Sequence, residues 1–488
     1  MNWEGYYNES PYIKAAHKEL LPTNIDLAGV CIGTQFRENN SSFSYCDLGC
    51  GFALTTILAA ALHPEAVFVG IDINPDHVEY NKRFADKLGL SNCFFYCAPF
   101  DECVSIIQDH GPYDYVVAHG VYSWVSEKVR DQLIHVTSLL VTDHGCVVTT
   151  YNAQPGWLAR QSYKKLFDLY ASTESKQDAV EQSKNQYSKI HQNSPVFNQF
   201  FPREASLFKT HYEQTTDYLL HEYANEGWSP QYSSDVIAMF ENQGLIFSGS
   251  LNVEENFTGR LPPSMQSLVD DDSERKRQLN LDISTCATFR RDIFQKKPKW
   301  LDRSEQVSLL NKISYRRNAN SKIAPNQKFG YFNMTVELSE LFKQIVHQAP
   351  QQQEFSISFE TGADKTLFID LAVLMKAGFL AQALTVEQSK NVRAYNLHLA
   401  TECLGGSLHK GYIESHTAIP VAFSPIAIYA LASMLVNPNG SDEERISTML
   451  MNSRRLFPGV KKTELTKALK ANLKNGSSLM RSLTELGL

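Results

Sequence analysis

Apolar strands alternating with helical stretches give the clearest pattern in the chain, over residues 41–152. Residues 41–72, SSFSYCDLGCGFALTTILAAALHPEAVFVGID, read as a strand ending at Cys46, a glycine turn from Asp47 to Gly51, a helix over about 52–62, and a second strand over 66–71 closed by Asp72. Both faces of a parallel sheet are covered by helices, so its strands appear as unbroken apolar runs. The alternation continues with a helix over about 75–88, a strand over 93–97, a strand over 113–118, a helix over about 126–140 and a strand over 146–150. Five parallel strands with ligand-type residues just past their carboxyl ends predict a doubly wound, Rossmann-like α/β sheet with its crevice at those ends.

Two later apolar stretches, 245–253 and 285–294, would complete a seven-stranded sheet. Polar, helix-forming insertions over 153–243 and 255–284 would then stand over the crevice, where they can shape a substrate pocket. The expected domains are an aromatic lid segment over 1–42, the sheet domain with its insertion over 43–295, a middle domain over 296–390 and a mainly helical region over 391–488. A basic linker, QKKPKWLDR, marks the boundary after 295. Beyond it, a helix over about 335–347, the extended FSISF and a buried helix over 365–380 suggest an α+β winged-helix-like module.

The glycine turn narrows the ligand. Gly49 and Gly51 let the backbone approach a bound molecule closely, and the following helix points its amide-rich end at it. A dinucleotide fingerprint would need a third glycine where Leu54 stands, and Asp47 beside a pyrophosphate would repel it. The same carboxylate suits a cation. S-adenosylmethionine carries a sulfonium and an ammonium, and its ribose hydroxyls can donate to Asp72, about twenty residues past the turn. Cys50 in the turn and Ile73 after the second strand adjoin those positions, and Pro99, Phe100 and Asp101 of the APFDE turn would reach the adenine edge. Tyr6, Tyr7 and Tyr12 sit on a stretch that Pro11 keeps irregular, and they could close over the cofactor or pack on the domain surface.

At 488 residues the chain is long enough for two or three domains, and 43% hydrophobic content can fill their cores. A net charge of −7 argues against nucleic acid as the main partner. No apolar run is long enough to span a membrane, and the N-terminus lacks the basic start and apolar core of a signal peptide. The nine cysteines have no CxxC spacing and read as reduced residues of a cytoplasmic protein. No HxxxH or HExxH occurs among 14 histidines, so no bound metal is expected. Residues 441–488 carry nine basic and five acidic side chains, a small footprint for DNA that leaves protein contact or a homodimer as the favoured role.

The motifs YYNESPY, DLGCG, FVGIDIN, HGVYSWV, YNAQPGW and YLLHEYANE stand in this order over residues 6–295. Together they make the chain resemble bacterial class I methyltransferases with a methyltransferase regulatory region, the group that includes the rickettsial protein lysine methyltransferases. The resemblance implies methyl transfer from S-adenosylmethionine, in the best-known members to lysines of outer-membrane proteins. It further implies that Asp47, Gly49 and Gly51 hold the methionine portion, Asp72 the ribose and Phe100 with its neighbours the adenine, with His119 opening the segment that faces the methyl group. Phe52 and Ala53 depart from the small or polar residues that usually follow the turn.

Methyl transfer is an in-line displacement that asks chiefly for alignment and exclusion of water. A lysine acceptor must first lose a proton, and aromatic walls favour its cationic centre. Tyr122 and Trp124 are candidates for one wall, and Tyr151, Asn152 and Trp157 for the other. Glu222 could draw a lysine inward, or be an ordinary helix-surface carboxylate. A small-molecule O- or N-methyltransferase and a cofactor-binding regulator or adaptor without turnover remain alternatives to a protein lysine methyltransferase.

Overall fold

The computed structural model describes residues 5–7, 9, 14–37, 42–202, 204, 215–317, 324, 327–350, 353–360, 362, 366–405, 425–456 and 461–474. Tyr12 and the last fourteen residues of the expected amphipathic C-terminus lie outside them. The central sheet consists of β1 (Ser44–Leu48), β2 (Val67–Asp72), β3 (Cys93–Cys97), β4 (Tyr113–Ala118), β5 (Val141–Asn152), β6 (Ile246–Ser250) and β7 (Phe289–Gln295). Their order is β3-β2-β1-β4-β5-β7-β6. β1 pairs in parallel with β2 on one side and β4 on the other, with Cys46 opposite both Val69 and Val116. The chain winds outward in both directions from this pair, and that switch point opens the crevice at the carboxyl ends of β1 and β4. β7 enters antiparallel between β5 and β6, with Val148 opposite Ile293.

The helices packed on and around the sheet are α1 (Pro22–Ile32), α2 (Leu54–Leu62), α3 (Pro75–Lys87), α4 (Phe100–Ile107) and α5 (Glu127–Leu140), followed by the insertion helices α6 (Leu158–Ala171), α7 (Lys176–Asn193), α8 (Pro195–Phe200), α9 (Thr216–Tyr223) and α10 (Ser233–Glu241). After the second insertion helix, α11 (Glu274–Thr285), the chain enters β7. The seventh strand therefore begins at Phe289 rather than 285. Cys286 takes a left-handed conformation, φ 49°, and ends α11 there.

Every residue of α2 is buried, which explains why LTTILAAAL has no polar face. The sheet covers one side. On the other lies α15 (Val386–Leu404), preceded in the C-terminal half by α12 (Arg303–Leu310), α13 (Glu340–Gln348) and α14 (Thr366–Lys376). Gln388 and Asn391 of α15 donate to Leu62 and Ala61 carbonyls at 3.0 and 2.7 Å, satisfying acceptors that the end of α2 leaves unpaired. The Tyr395 hydroxyl donates to the Leu54 carbonyl at 3.3 Å.

Two expectations for this half change. The boundary expected at 390/391 falls inside α15, one continuous helix held by a Thr385–Gln388 capping box. The helix expected from about 335 begins only at Glu340, because a hairpin (Lys328–Tyr331 with Met334–Glu337) precedes α13; the strand Glu354–Ser356, which overlaps the FSISF stretch expected to be extended, separates α13 from α14. That strand joins Ser314–Arg317 and Leu380–Gln382 in a three-stranded antiparallel sheet. α16 (Pro425–Val436), α17 (Asp442–Leu456) and α18 (Lys462–Lys474) follow. Among the described residues, no helix is long and apolar enough to cross a membrane.

Candidate active site

The turn after β1 folds back on β2, where the amides of Gly49 and Cys50 both donate to the Ile71 carbonyl, at 2.8 and 2.9 Å. Gly49 (φ 75°) has no alternative, because a Cβ there would lie 2.4 Å from Val121 Cγ2. Gly51 (φ 53°) is also left-handed, but a Cβ there would meet no atom within 4 Å. Ala53 adopts φ 44° at the N-cap of α2, a conformation that costs a non-glycine residue about 1–2 kcal/mol. Beside it, the Phe52 ring packs on His77 and Tyr80, with centroids 4.5 and 5.1 Å away.

Asp72 is fixed by backbone donors on both oxygens. Gly51 N donates to Oδ2 at 2.7 Å, Asn74 N donates to Oδ1 at 2.8 Å, and His77 Nδ1 lies 3.2 Å from Oδ1. Asp47 accepts a 2.5 Å hydrogen bond from Thr56 Oγ1. Burial pushes its carboxyl up to about 7, partly offset by Thr56 and reinforced by the negative charge of Asp72. At the end of β4, the Thr150 hydroxyl bridges His119 Nδ1 and the Gly120 amide, each at 3.0 Å. The His119 ring lies 4.2 Å from that of His17. Burial holds both imidazoles below their usual range, His119 far below, and the neighbouring Arg291 adds to the effect.

These groups line one cavity of about 530 Å³, a size that suits a small-molecule or cofactor site. Asp47, Gly49, Cys50, Gly51, Asp72, Ile73, Pro99, Phe100 and His119 all face it. Tyr7 does not: its neighbour Tyr6 lines the cavity, while Tyr7 is buried in an aromatic cluster, its amide donating to Asn225 Oδ1 at 2.8 Å. His17, Thr55, His77, Lys128 and Gln132 also line the cavity. Sequence reading missed them because their elements meet the turn only in the folded chain. Lys128 and Gln132 reach the cavity from one face of α5, where Gln132 Nε2 donates to Asp101 Oδ2 at 3.0 Å.

The five residues expected to wall the acceptor side do not line this cavity. Tyr122 is buried in the core beneath α10, its hydroxyl 3.3 Å from Met239 Sδ. Val121, one residue earlier, takes the place at the cavity. Trp124 packs against the aromatic cluster of the insertion, and Trp157 is buried in it, with Nε1 donating to the Thr288 carbonyl at 2.6 Å. Asn152 Nδ2 donates to Glu222 Oε1 at 3.0 Å. Tyr151 points to the opposite face of β5 and donates to Asp292 Oδ2 at 2.5 Å. Glu222 is no surface carboxylate; it is buried in α9, and burial raises its carboxyl to about 7.

Family comparison fits this site. Residues 39–214 match the model of a methyltransferase domain, and residues 215–296 match a predicted methyltransferase regulatory domain, together more than half of the chain. The chain carries a class I methyltransferase domain. An uncharacterized protein of Synechocystis sp. is 28% identical over 330 residues, 64% of this chain and 63% of its own length. An uncharacterized protein of Rickettsia prowazekii is 26% identical over 302 residues, 58% of this chain and 51% of its own length. The chain thus spans roughly half to two thirds of these curated relatives. Among solved structures, PKMT2 from Rickettsia typhi in complex with AdoHcy is 16% identical and shares the fold, with a TM-score of 0.66 over 97% of this chain and 99% of that one.

The cofactor of the methyltransferase domain is S-adenosylmethionine, and the cavity fits it. A Cβ at Gly51 would project into open space, Asp47 and Asp72 supply two carboxylates, and burial holds the His17 and His119 imidazoles below their usual range, which disfavours positive charge beside a sulfonium. When bound, this cofactor supplies an electrophilic methyl group. The residues lining the cavity would orient it.

Proposed function

We propose that the protein transfers the methyl group of S-adenosylmethionine to the nitrogen of lysine side chains in a protein substrate, with outer-membrane proteins as candidate acceptors. In this reading the glycine turn and Asp47 hold the methionine portion, Asp72 the ribose, and Ile73, Pro99 and Phe100 the adenine, leaving His119 toward the methyl group. One observation carries the acceptor class: an aromatic cluster of the insertion lies behind the cavity wall, where Tyr6 lines the cavity and the adjacent Tyr7 is buried in the cluster. In it, Trp228 lies 5.9 Å from Trp157 and 5.7 Å from Tyr223. Such walls favour a cation, and a lysine approaches as one. The fold shared with PKMT2 supports the same reading.

At pH 7 only about one free lysine amine in a few thousand is neutral. A pocket that desolvates the ammonium raises that fraction. Incubation of the protein and labelled S-adenosylmethionine with cell fractions tests the proposal, with labelled residues mapped by mass spectrometry. Label on lysines is expected. Label confined to small molecules, or cofactor binding without transfer, overturns the proposal in favour of a small-molecule methyltransferase or a cofactor-binding adaptor.

A further inference from the structure

Glu222 is buried behind the wall of the cofactor cavity rather than among its lining residues, and three chain crossings tie its surroundings to that wall. Asn152, which donates to it, stands two residues beyond Thr150, the residue that holds His119 in the cavity. Residues two apart on a strand share a face, at a spacing of roughly 7 Å. Gly227 packs so tightly on the loop after β4 that a Cβ would meet the Val125 carbonyl carbon at 2.3 Å, and Val125 lines the cavity. Tyr6 and Tyr7 are consecutive, one facing the cavity and the other 5.3 Å from the ring of His221.

The carboxylate is only half engaged. Glu222 Oε1 accepts from both Asn152 Nδ2, at 3.0 Å, and Trp228 Nε1, at 3.1 Å. Oε2 makes no hydrogen bond among the described residues. The charged groups around it are Arg160 of α6, whose Nε lies 3.6 Å from Glu204, and the titratable groups packed in the same cluster are His221, Tyr223, Tyr163 and Tyr7. Arg160 stacks over Trp157, 4.4 Å from the ring, and its positive charge acts on Glu222 from beyond ion-pair distance. A buried carboxylate with one open oxygen and aromatic neighbours is a receptor for a cation that also hydrogen-bonds.

We propose that Glu222 receives the acceptor's ammonium group on Oε2 and takes its proton before methyl transfer. This assignment rests on the lysine reading above. An N–H bond of the ammonium breaks and the proton passes to the carboxylate, leaving a neutral amine and a carboxylic acid. The amine lone pair then forms the N–C bond as the methyl–sulfur bond breaks, and the positive charge moves from sulfur to the methylated nitrogen. The carboxyl proton returns to solvent as product leaves. A carboxyl raised to about 7 is matched to this exchange at neutral pH.

Three measurements separate the assignment from the reading beneath it. In the first, Glu222→Gln is expected to lower kcat on the mapped lysine substrate on the order of 100-fold and to abolish the rise of kcat with pH near 7. Affinity for S-adenosylhomocysteine should stay unchanged by calorimetry. In the second, n-butylammonium, titrated into protein saturated with S-adenosylhomocysteine, is expected to bind wild type at least tenfold more tightly than Glu222→Gln. In the third, Trp228→Phe, which removes one donor to Oε1, should shift the rising limb to higher pH. Lysine labelling by a Glu222→Gln protein with the wild-type rate and pH profile overturns the role of Glu222 and leaves the lysine reading standing; so does an unmoved limb in Trp228→Phe. Absence of lysine labelling by wild type overturns both.

Discussion

The Tyr80 hydroxyl donates to Glu402 Oε2 at 2.8 Å, joining α3 of the methyltransferase domain to α15 of the C-terminal half. Lys14 sits against this pair. Its Nζ lies 3.8 Å from the Tyr80 ring centroid, 4.7 Å from that of Phe52 and 3.7 Å from Glu402 Oε2. Residues Ala15, His17 and Leu20 of the same strap line the cofactor cavity, and Lys18 Nζ donates to the Met375 carbonyl at the end of α14, at 2.7 Å. The C-terminal half therefore holds the strap from behind. Glu402→Ala is expected to weaken S-adenosylhomocysteine binding about three- to tenfold by calorimetry, on the basis that a partly buried contact contributes about 1 kcal/mol. An unchanged affinity would mean that the strap holds its place without this latch.

The two glycines of the turn should respond differently to alanine. Gly49→Ala drives a methyl into Val121 at a left-handed position, a combined cost on the order of 2–4 kcal/mol, so the melting temperature should fall. Gly51→Ala meets no protein atom and costs about 1–2 kcal/mol from backbone strain. Its methyl enters the cavity, so the loss should fall mainly on cofactor binding. Equal melting temperatures for the two variants would contradict this contrast.

Asp47 makes stability depend on pH. Its carboxyl is raised to about 7 in the folded chain, from an ordinary value of 3.8. Between those values the unfolded chain has released the proton and the folded chain retains it, so this group's contribution falls as pH rises through the window and is flat above about 7. The total is on the order of a few kcal/mol. Asp47→Asn is expected to be more stable than wild type at pH 8 in denaturant titrations and to lose that advantage near pH 4. A cationic ligand favours the charged carboxylate, so wild-type affinity for S-adenosylmethionine should rise with pH toward 7. A flat difference between the two proteins from pH 4 to 8 would contradict the raised carboxyl.

Asp72 ties the turn to the strand end through the Gly51 and Asn74 amides. Asp72→Ala is expected to reduce S-adenosylhomocysteine affinity at least tenfold, since it removes the ribose acceptor proposed here and frees the Gly51 amide together. Retained affinity would remove Asp72 from the cofactor site.

The fully buried α2 gives a test of domain independence. A fragment ending at residue 295 lacks α15 and exposes one side of LTTILAAAL to water. Exposed apolar surface of that kind promotes association. Scattering and dye binding should report aggregation of this fragment but not of the full chain. A monomeric, folded fragment would show that α15 is dispensable.

Local pattern decided much of this protein. The largely apolar runs at 67–71, 93–97 and 113–118, the glycines after Asp47 and the carboxylate at Asp72 are short-range features, and each strand's buried residues follow from its own sequence. They were enough to place the turn, the second acidic residue and the APFDE segment at one crevice, because a parallel sheet gathers its strand ends automatically. The acceptor side was not legible in this way. Tyr6 and Tyr7, or Val121 and Tyr122, are neighbours on irregular chain, where no periodicity says which one faces the cavity. Glu222 sits on an eight-residue helix whose last five residues are all buried. Its polarity suggested solvent, and only its packing in the aromatic cluster of the insertion made it an interior carboxylate. Which side of a loop or a short helix meets water is set by what packs against it, and those partners lie tens to hundreds of residues away.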